Sequence, residues 1–381
     1  THNRYGFIIP RNHIEKWWYE KSHIEIMERQ QINRWNAMFP QRRIVERIKK
    51  IFGRNTSSPF GGTVCFSLSL SVYKSEFKEK KQTHTGCEKF GMESQAATMW
   101  DLVVQGIPDG IRVDVWLALS GVDEIRARIL EKSKLTGKEY YNSLVARAER
   151  ELSEQLQDQI DRDLPRTFPK HKSIFNTKAG QPVLRRVLFA YAVHDKVLGY
   201  CQSLNFVAAF FLCFADEEYA FWLLYAVTQK LCPGYYVKSM ISIRADSNVI
   251  GSLIDQELKE HIKKIHVPLQ GVCVASLMQL YILKLPTKSV LRLFDFLFLE
   301  GSSTMILCEL FLFKQSKESL LKCTGIVEFS AALAETESTM YVVFDLFFHV
   351  SITSLKSHKN YITLTQQSCL KKKITSDTQV R

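Results

Sequence analysis

Apolar residues recur at helical spacing through most of this chain. Val183, Leu184, Val187, Leu188 and Tyr191 fall at i, i+3 and i+4 intervals, which puts them on one face of a helix turning every 3.6 residues. Ile250, Leu253, Ile254, Leu258, Ile262 and Ile265 form a second stripe, with Asp246 as a candidate N-cap. Residues 205–231 are apolar nearly all round, the pattern of a buried and central segment. No strand period persists in these segments, so the expected class is all-α. One large helical domain should carry an N-terminal helical extension and an irregular insertion.

The expected boundaries are a helical extension over 1–52, a flexible insertion over 53–97, the domain proper over 98–325, and a C-terminal helix with a basic tail over 326–381. In the extension, Trp17, Trp18 and Trp35 alternate with charges, and QRRIVERIKK is a basic amphipathic helix best read as solvated on one side. The insertion holds VCFSLSLSV, which alternates with period two but has no second strand to pair with. Within the domain, GIPDGIR introduces the helix VDVWLALSG, which Gly121 can cap. Arg112 and Trp116 are scaffold candidates, and residues 344–350 could form a last helix.

Composition narrows the compartment. The nine cysteines are odd in number, lack a CxxC pair and sit partly in apolar runs, which suits reduced thiols rather than a disulfide framework or a zinc site. The opening THNRYGFIIP lacks the apolar segment of a signal peptide, and the unbroken apolar run at 206–215 is too short to span a bilayer. The expectation is a soluble, cytoplasmic protein; a starting Thr suggests residues upstream. A net charge of +12, from 51 basic and 39 acidic residues, suits an acidic partner or a weak contact with an anionic membrane surface. Interleaved aromatic and basic recognition motifs are missing, which argues against nucleic acid. HExxH, G-x-S-x-G and P-loop patterns are also missing, which argues against zinc hydrolysis, serine hydrolysis and autonomous nucleotide binding.

Two short polar stretches interrupt the helical pattern. IDRDLPRT places Asp163 and Arg166 on either side of Pro165. Pro165 cannot continue a helix, because its ring clashes with the preceding turn and it has no N–H to donate. Arg166 should therefore project from a helix end. GYCQSLN places Gln202 immediately ahead of the apolar run, a polar residue at the mouth of a buried helix. An arginine and a glutamine presented together suit phosphoryl transfer. The guanidinium can neutralise charge developing on a phosphate, and the carboxamide, both donor and acceptor, can orient a water. Against this, most arginines are surface charges and most glutamines solvate or cap helices.

IDRDLPRT and GYCQS resemble the two finger motifs of the TBC-domain GTPase-activating proteins for Rab GTPases. The resemblance extends to GIPDGIRVDVW, FWLLYAVTQKLCPGYY and LPTKSVLRLFDFLFLEG, in the family's order, and covers about residues 98–325. The N-terminal YGF segment is similar to that of the growth hormone-regulated TBC subgroup. The resemblance implies a helical domain whose groove faces a GTP-bound Rab, with Arg166 and Gln202 catalytic in trans. It further implies supporting roles for Asp163, Thr167, Tyr200, Ser203 and Asn205. Asp163 would orient Arg166, Thr167 would fix the loop backbone, and Tyr200 would pack or touch the partner. No cofactor of the chain's own is implied, since the partner carries GTP and Mg²⁺. Vesicle trafficking and a peripheral place on endomembranes follow from the same resemblance.

Two positions depart from the family pattern. Ser203 stands where glycine is usual after the glutamine, a costly exchange if that position has positive φ. Ser276 and Leu277 replace a Trp-Phe pair, while Arg292 and Asp295 of the third motif are kept. These departures motivate an alternative, a TBC-fold adaptor that binds a Rab or another trafficking protein with little or no catalysis.

Overall fold

The structure is a computed structural model and describes residues 31–35, 101–169 and 180–340. Expectations for the insertion and its VCFSLSLSV strand, for QRRIVERIKK, for a helix over 344–350 and for the basic tail lie outside the described residues.

Among the described residues all regular structure is helical. The chain runs through α1 (Asp109–Ser120), α2 (Val122–Ser133), α3 (Gly137–Glu151), α4 (Glu154–Asp163), α5 (Gly180–His194), α6 (Leu204–Leu212) and α7 (Glu217–Tyr225). It continues with α8 (Ile241–Leu253), α9 (Gln256–Lys264), α10 (Leu269–Met278), α11 (Thr287–Glu300), α12 (Ser303–Leu320) and α13 (Ile326–Thr339). Local chemistry marks the ends. Thr136 and Glu139 form a reciprocal capping box at the start of α3, with Glu139 N donating to Thr136 Oγ1 at 3.3 Å and Thr136 N donating to Glu139 Oε2 at 2.8 Å. Gly121 takes φ 66° between α1 and α2 and donates its N–H to Ala118 O, a left-handed cap that glycine adopts without steric cost.

The second stripe read from the sequence is divided between two helices. Asp246 lies inside α8, buried, where it accepts the Tyr235 hydroxyl, and is not a cap. The cap is Asp255, which accepts Leu258 N at 3.2 Å and opens α9. Helix α13 lies in the 326–381 segment expected to hold a C-terminal helix, but ahead of residues 344–350, where the sequence reading places that helix.

The helices pack in two linked groups. Helix α3 lies along α5, α7 covers α5 and α6, α8 rests on α10 and α12, and α13 covers α12. Trp116 joins the groups from α1: its ring stacks on Phe298 at 5.1 Å and meets Phe211 of α6 at 6.1 Å. Beside it Asp295, fully buried, accepts Trp116 Nε1 at 2.9 Å, Arg112 Nε at 3.2 Å and Arg292 Nη1 at 2.8 Å. Arg292 also donates to the carbonyls of Val103 and Val104. One carboxylate thus ties the GIPDGIRVDVW segment to the LPTKSVLRLFDFLFLEG segment. Trp35, buried, donates from Nε1 to Gly106 O at 2.9 Å, fixing residues 31–35 to the approach of α1. No described helix is long and apolar enough to cross a membrane, and the described cysteines form no disulfide.

Candidate functional site

Helix α4 ends where Pro165 enters, and residues Leu164–Arg166 form a single 3₁₀ turn. A proline in the first turn of such a helix loses nothing, because that N–H has no intrahelical partner. The turn lifts Arg166 off the helix axis, and its side chain is 64% exposed. Arg166 Nη2 donates to Asp163 Oδ1, and Nε donates to Arg162 O at 3.2 Å. Asp163 itself is buried.

The second motif comes up to the same carboxylate from the far side. Tyr200 donates its hydroxyl to Asp163 Oδ2 at 2.7 Å, so each Asp163 oxygen is bonded to one motif. Burial, and then the bond to Asp163, push the Tyr200 phenol well above its ordinary range. Tyr200 therefore remains a donor at any physiological pH.

A second bridge runs in parallel. Thr167 donates Oγ1 to Asp163 O at 2.7 Å and accepts Asn205 Nδ2 at 2.6 Å, and Asn205 Oδ1 accepts the Ser203 N–H at 3.2 Å. Thr167, Ser203 and Asn205 are all buried. The Phe168 and Phe206 rings close the gap below at 5.8 Å between centroids. Sequence reasoning gave Phe168 and Phe206 no role; the aromatic just after each motif was the available signal.

Ser203 takes φ 87° and ψ −22° as the N-cap of α6. The backbone there is left-handed, the conformation in which a side chain is costly. Gln202, one residue earlier, is exposed. Hydrogen bonds therefore link six of the seven sequence-predicted residues, and Gln202 adjoins Ser203 in the chain. Asp163, Thr167, Tyr200, Ser203 and Asn205 make the buried frame, and Arg166 and Gln202 stand on its outer side. Such a frame can hold a cationic donor and a carboxamide towards an anion brought from outside. The other flagged positions lie apart from it in the bonding pattern: Ser276 and Leu277 are fully buried in α10, and Ser276 Oγ accepts Lys284 Nζ at 2.9 Å.

Comparison with known proteins agrees with this architecture. Residues 109–321 match the family model RabGAP-TBC, described as the Rab-GTPase-TBC domain. Growth hormone-regulated TBC protein 1 of Homo sapiens is 32% identical over 240 residues, covering 61% of this chain and 68% of that protein. A TBC domain-containing protein of Schizosaccharomyces pombe is 32% identical over 230 residues, 59% of this chain, and the chain spans only 28% of that relative's length. In fold, the chain is similar to the crystal structure of the Chlamydomonas flagellar RabGAP TBC domain, with a TM-score of 0.60 and 22% identity over 92% of this chain and 99% of that one. The family match takes in more than half of the 381 residues and both polar motifs, and the chain belongs to the Rab-GTPase-TBC domain family.

Proposed function

We propose that the chain stimulates GTP hydrolysis by a GTP-bound Rab-family GTPase, lending Arg166 and Gln202 in trans to a nucleotide that the partner holds with its Mg²⁺. The observation that carries this reading is a pair of exposed tips on one cross-linked frame. Arg166 and Gln202 face outward, while Tyr200 to Asp163 at 2.7 Å and Asn205 to Thr167 at 2.6 Å lock the elements that bear them. Relatives named as a putative GTPase-activating protein in Emericella nidulans and a flagellar RabGAP in Chlamydomonas support it.

The chemistry follows from the groups present. The guanidinium offsets negative charge that spreads over the transferring phosphoryl, and the carboxamide orients the attacking water by donating and accepting at once. Asp163 is a positioning residue, because its charge-assisted bond restricts the rotamers of Arg166. Thr167, Asn205 and Tyr200 hold the backbone under both tips. An arginine supplied in trans accelerates hydrolysis by roughly 10³ to 10⁵, about 4 to 7 kcal/mol of barrier. The reading carries with it a role in vesicle trafficking, in the cytoplasm at endomembranes, whose anionic surface suits a net charge of +12.

A second reading, a TBC-fold adaptor with little catalysis, is favoured by Ser203 at φ 87° where the family pattern has glycine. Single-turnover GTP hydrolysis across a panel of Rab proteins separates the two. The expected result is acceleration of at least one Rab, lost by about 10³ or more in Arg166→Ala and also reduced in Gln202→Ala. Binding without acceleration of any Rab would leave the adaptor.

A further inference from the structure

Between α5 and Tyr200 the chain makes a tight loop whose shape is fixed by one side chain. Asp195 Oδ1 accepts the N–H groups of Val197 at 3.2 Å and Leu198 at 3.0 Å, and the Asp195 carbonyl accepts Gly199 N at 2.7 Å. Its other oxygen accepts Gln229 Nε2 at 2.6 Å and the Tyr191 hydroxyl at 3.1 Å, and Tyr191 is in turn 2.7 Å from Thr228 Oγ1. The loop is thus bolted to α5 and to the turn after α7. Leu198 packs against the core, and Lys196 turns aside to pair with Glu151 at 2.9 Å. What the loop presents outward is Val197, 97% exposed and the most exposed large hydrophobic side chain among the described residues.

A single exposed valine on a protein surface is ordinary. The place and stiffness of this one are what carry meaning. Val197 lies five positions before Gln202, so even a fully extended chain separates them by no more than about 18 Å. A protein partner covers about 800 Å² on each side of a stable interface, a patch about 16 Å in radius. The turn closed by Gly199 N on Asp195 O makes the true span shorter than the extended limit, so a patch of that size around Gln202 extends to the neighbourhood of this loop. A β-branched side chain on a loop already held by five hydrogen bonds has little freedom left to lose on contact. Rigid, apolar and uncovered, it is suited to burial in a partner.

We infer that Val197 is an apolar contact residue for the GTPase, seating in a nonpolar patch beside the partner's nucleotide site. The inference rests on the Rab-directed reading of Arg166 and Gln202. Steady-state measurement of Rab hydrolysis as a function of Rab·GTP concentration tests it, with wild type, Val197→Asp, Val197→Leu and Arg166→Ala. Val197→Asp should raise KM about tenfold or more while kcat at saturation and Tm stay at the wild-type values, and Val197→Leu should retain the wild-type KM. Arg166→Ala should show the opposite split, a collapse of kcat. If wild type accelerates a Rab and Val197→Asp leaves KM unchanged, or lowers Tm along with activity, the contact is overturned and the catalytic reading survives. If wild type accelerates no Rab in the panel, the catalytic reading falls and the contact falls with it.

Discussion

Ser203 sits at φ 87° because the chain must turn from Tyr200 into α6 while its N–H reaches Asn205 Oδ1. A left-handed backbone costs a residue with a Cβ about 1–2 kcal/mol, and the greater freedom of glycine in the unfolded chain takes back about 0.4–1 kcal/mol. The difference favours glycine. Ser203→Gly should stabilise the protein by about 0.5–1 kcal/mol and raise Tm by about 2–3 °C in a thermal melt, since Ser203 makes no side-chain cap bond to lose. At this scale the sequence was most readable where chemistry conflicts with context. Arg166 stands out after Pro165, Gln202 before an apolar run, and Ser203 where a small residue without a Cβ is needed. Asp195 was not readable. An aspartate four residues before a glycine is a common turn, and what makes this one rigid is Gln229, 34 positions away.

Among elements, joints between helices were harder to read than the helices themselves. The stripe from Ile250 to Ile265 keeps helical phase across a break at Asp255, so periodicity alone merges α8 and α9. The faint signal of α13 has a similar physical cause. It buries only Phe329, Leu333 and Glu337 against α12, too few apolar positions to make a strong stripe. The joint between α1 and α11 was half visible, since the Arg292 and Asp295 pair could be read but not the convergence of Arg112 and Trp116 on the same carboxylate. That joint should be costly to break. Asp295→Asn removes the buried anion that Arg112 and Arg292 share, though Arg112 keeps its pair with Asp109, a loss of about 3–5 kcal/mol. A thermal melt should show Tm lower by about 10 °C, with the far-UV helical signal kept below the transition.

Among the described residues, two buried carboxyls raised by burial lie where α10, α12, α13 and the segment before α11 meet. Glu309 of α12 is fully buried and accepts the Tyr281 hydroxyl at 2.6 Å, while Lys284 pairs with Glu337 of α13 at 2.8 Å and donates to Ser276 of α10. Burial pushes the Glu309 carboxyl up to about 7, against the pull of Tyr281 and Lys284. Burial also raises Glu337. A carboxyl raised in the folded state keeps its proton where the unfolded chain has lost it, so its stabilising effect is complete below about pH 4.5 and disappears as pH rises to about 7. Stability should fall across that window, with Glu309 responsible for on the order of 3 kcal/mol. Glu309→Gln, uncharged at every pH, should flatten the dependence of Tm between pH 5 and 8; an unchanged slope would exclude Glu309 as its source. The Ser276 and Leu277 departure belongs to this region. Without the aromatic pair, α10 offers a hydroxyl to Lys284, and a polar cluster occupies the joint.

Both oxygens of Asp163 are engaged, one with Arg166 and one with Tyr200, and the bonds from Tyr200 to Asp163 and from Asn205 to Thr167 pass through neither Arg166 nor Gln202. Folding and chemistry are therefore separable in one direction only. Under the proposed function, a lineage carrying this frame could lose activity in a single step at either tip and still fold, whereas a change beneath the tips would endanger the whole chain. Silent descendants of such a frame should look intact in every respect except two surface side chains.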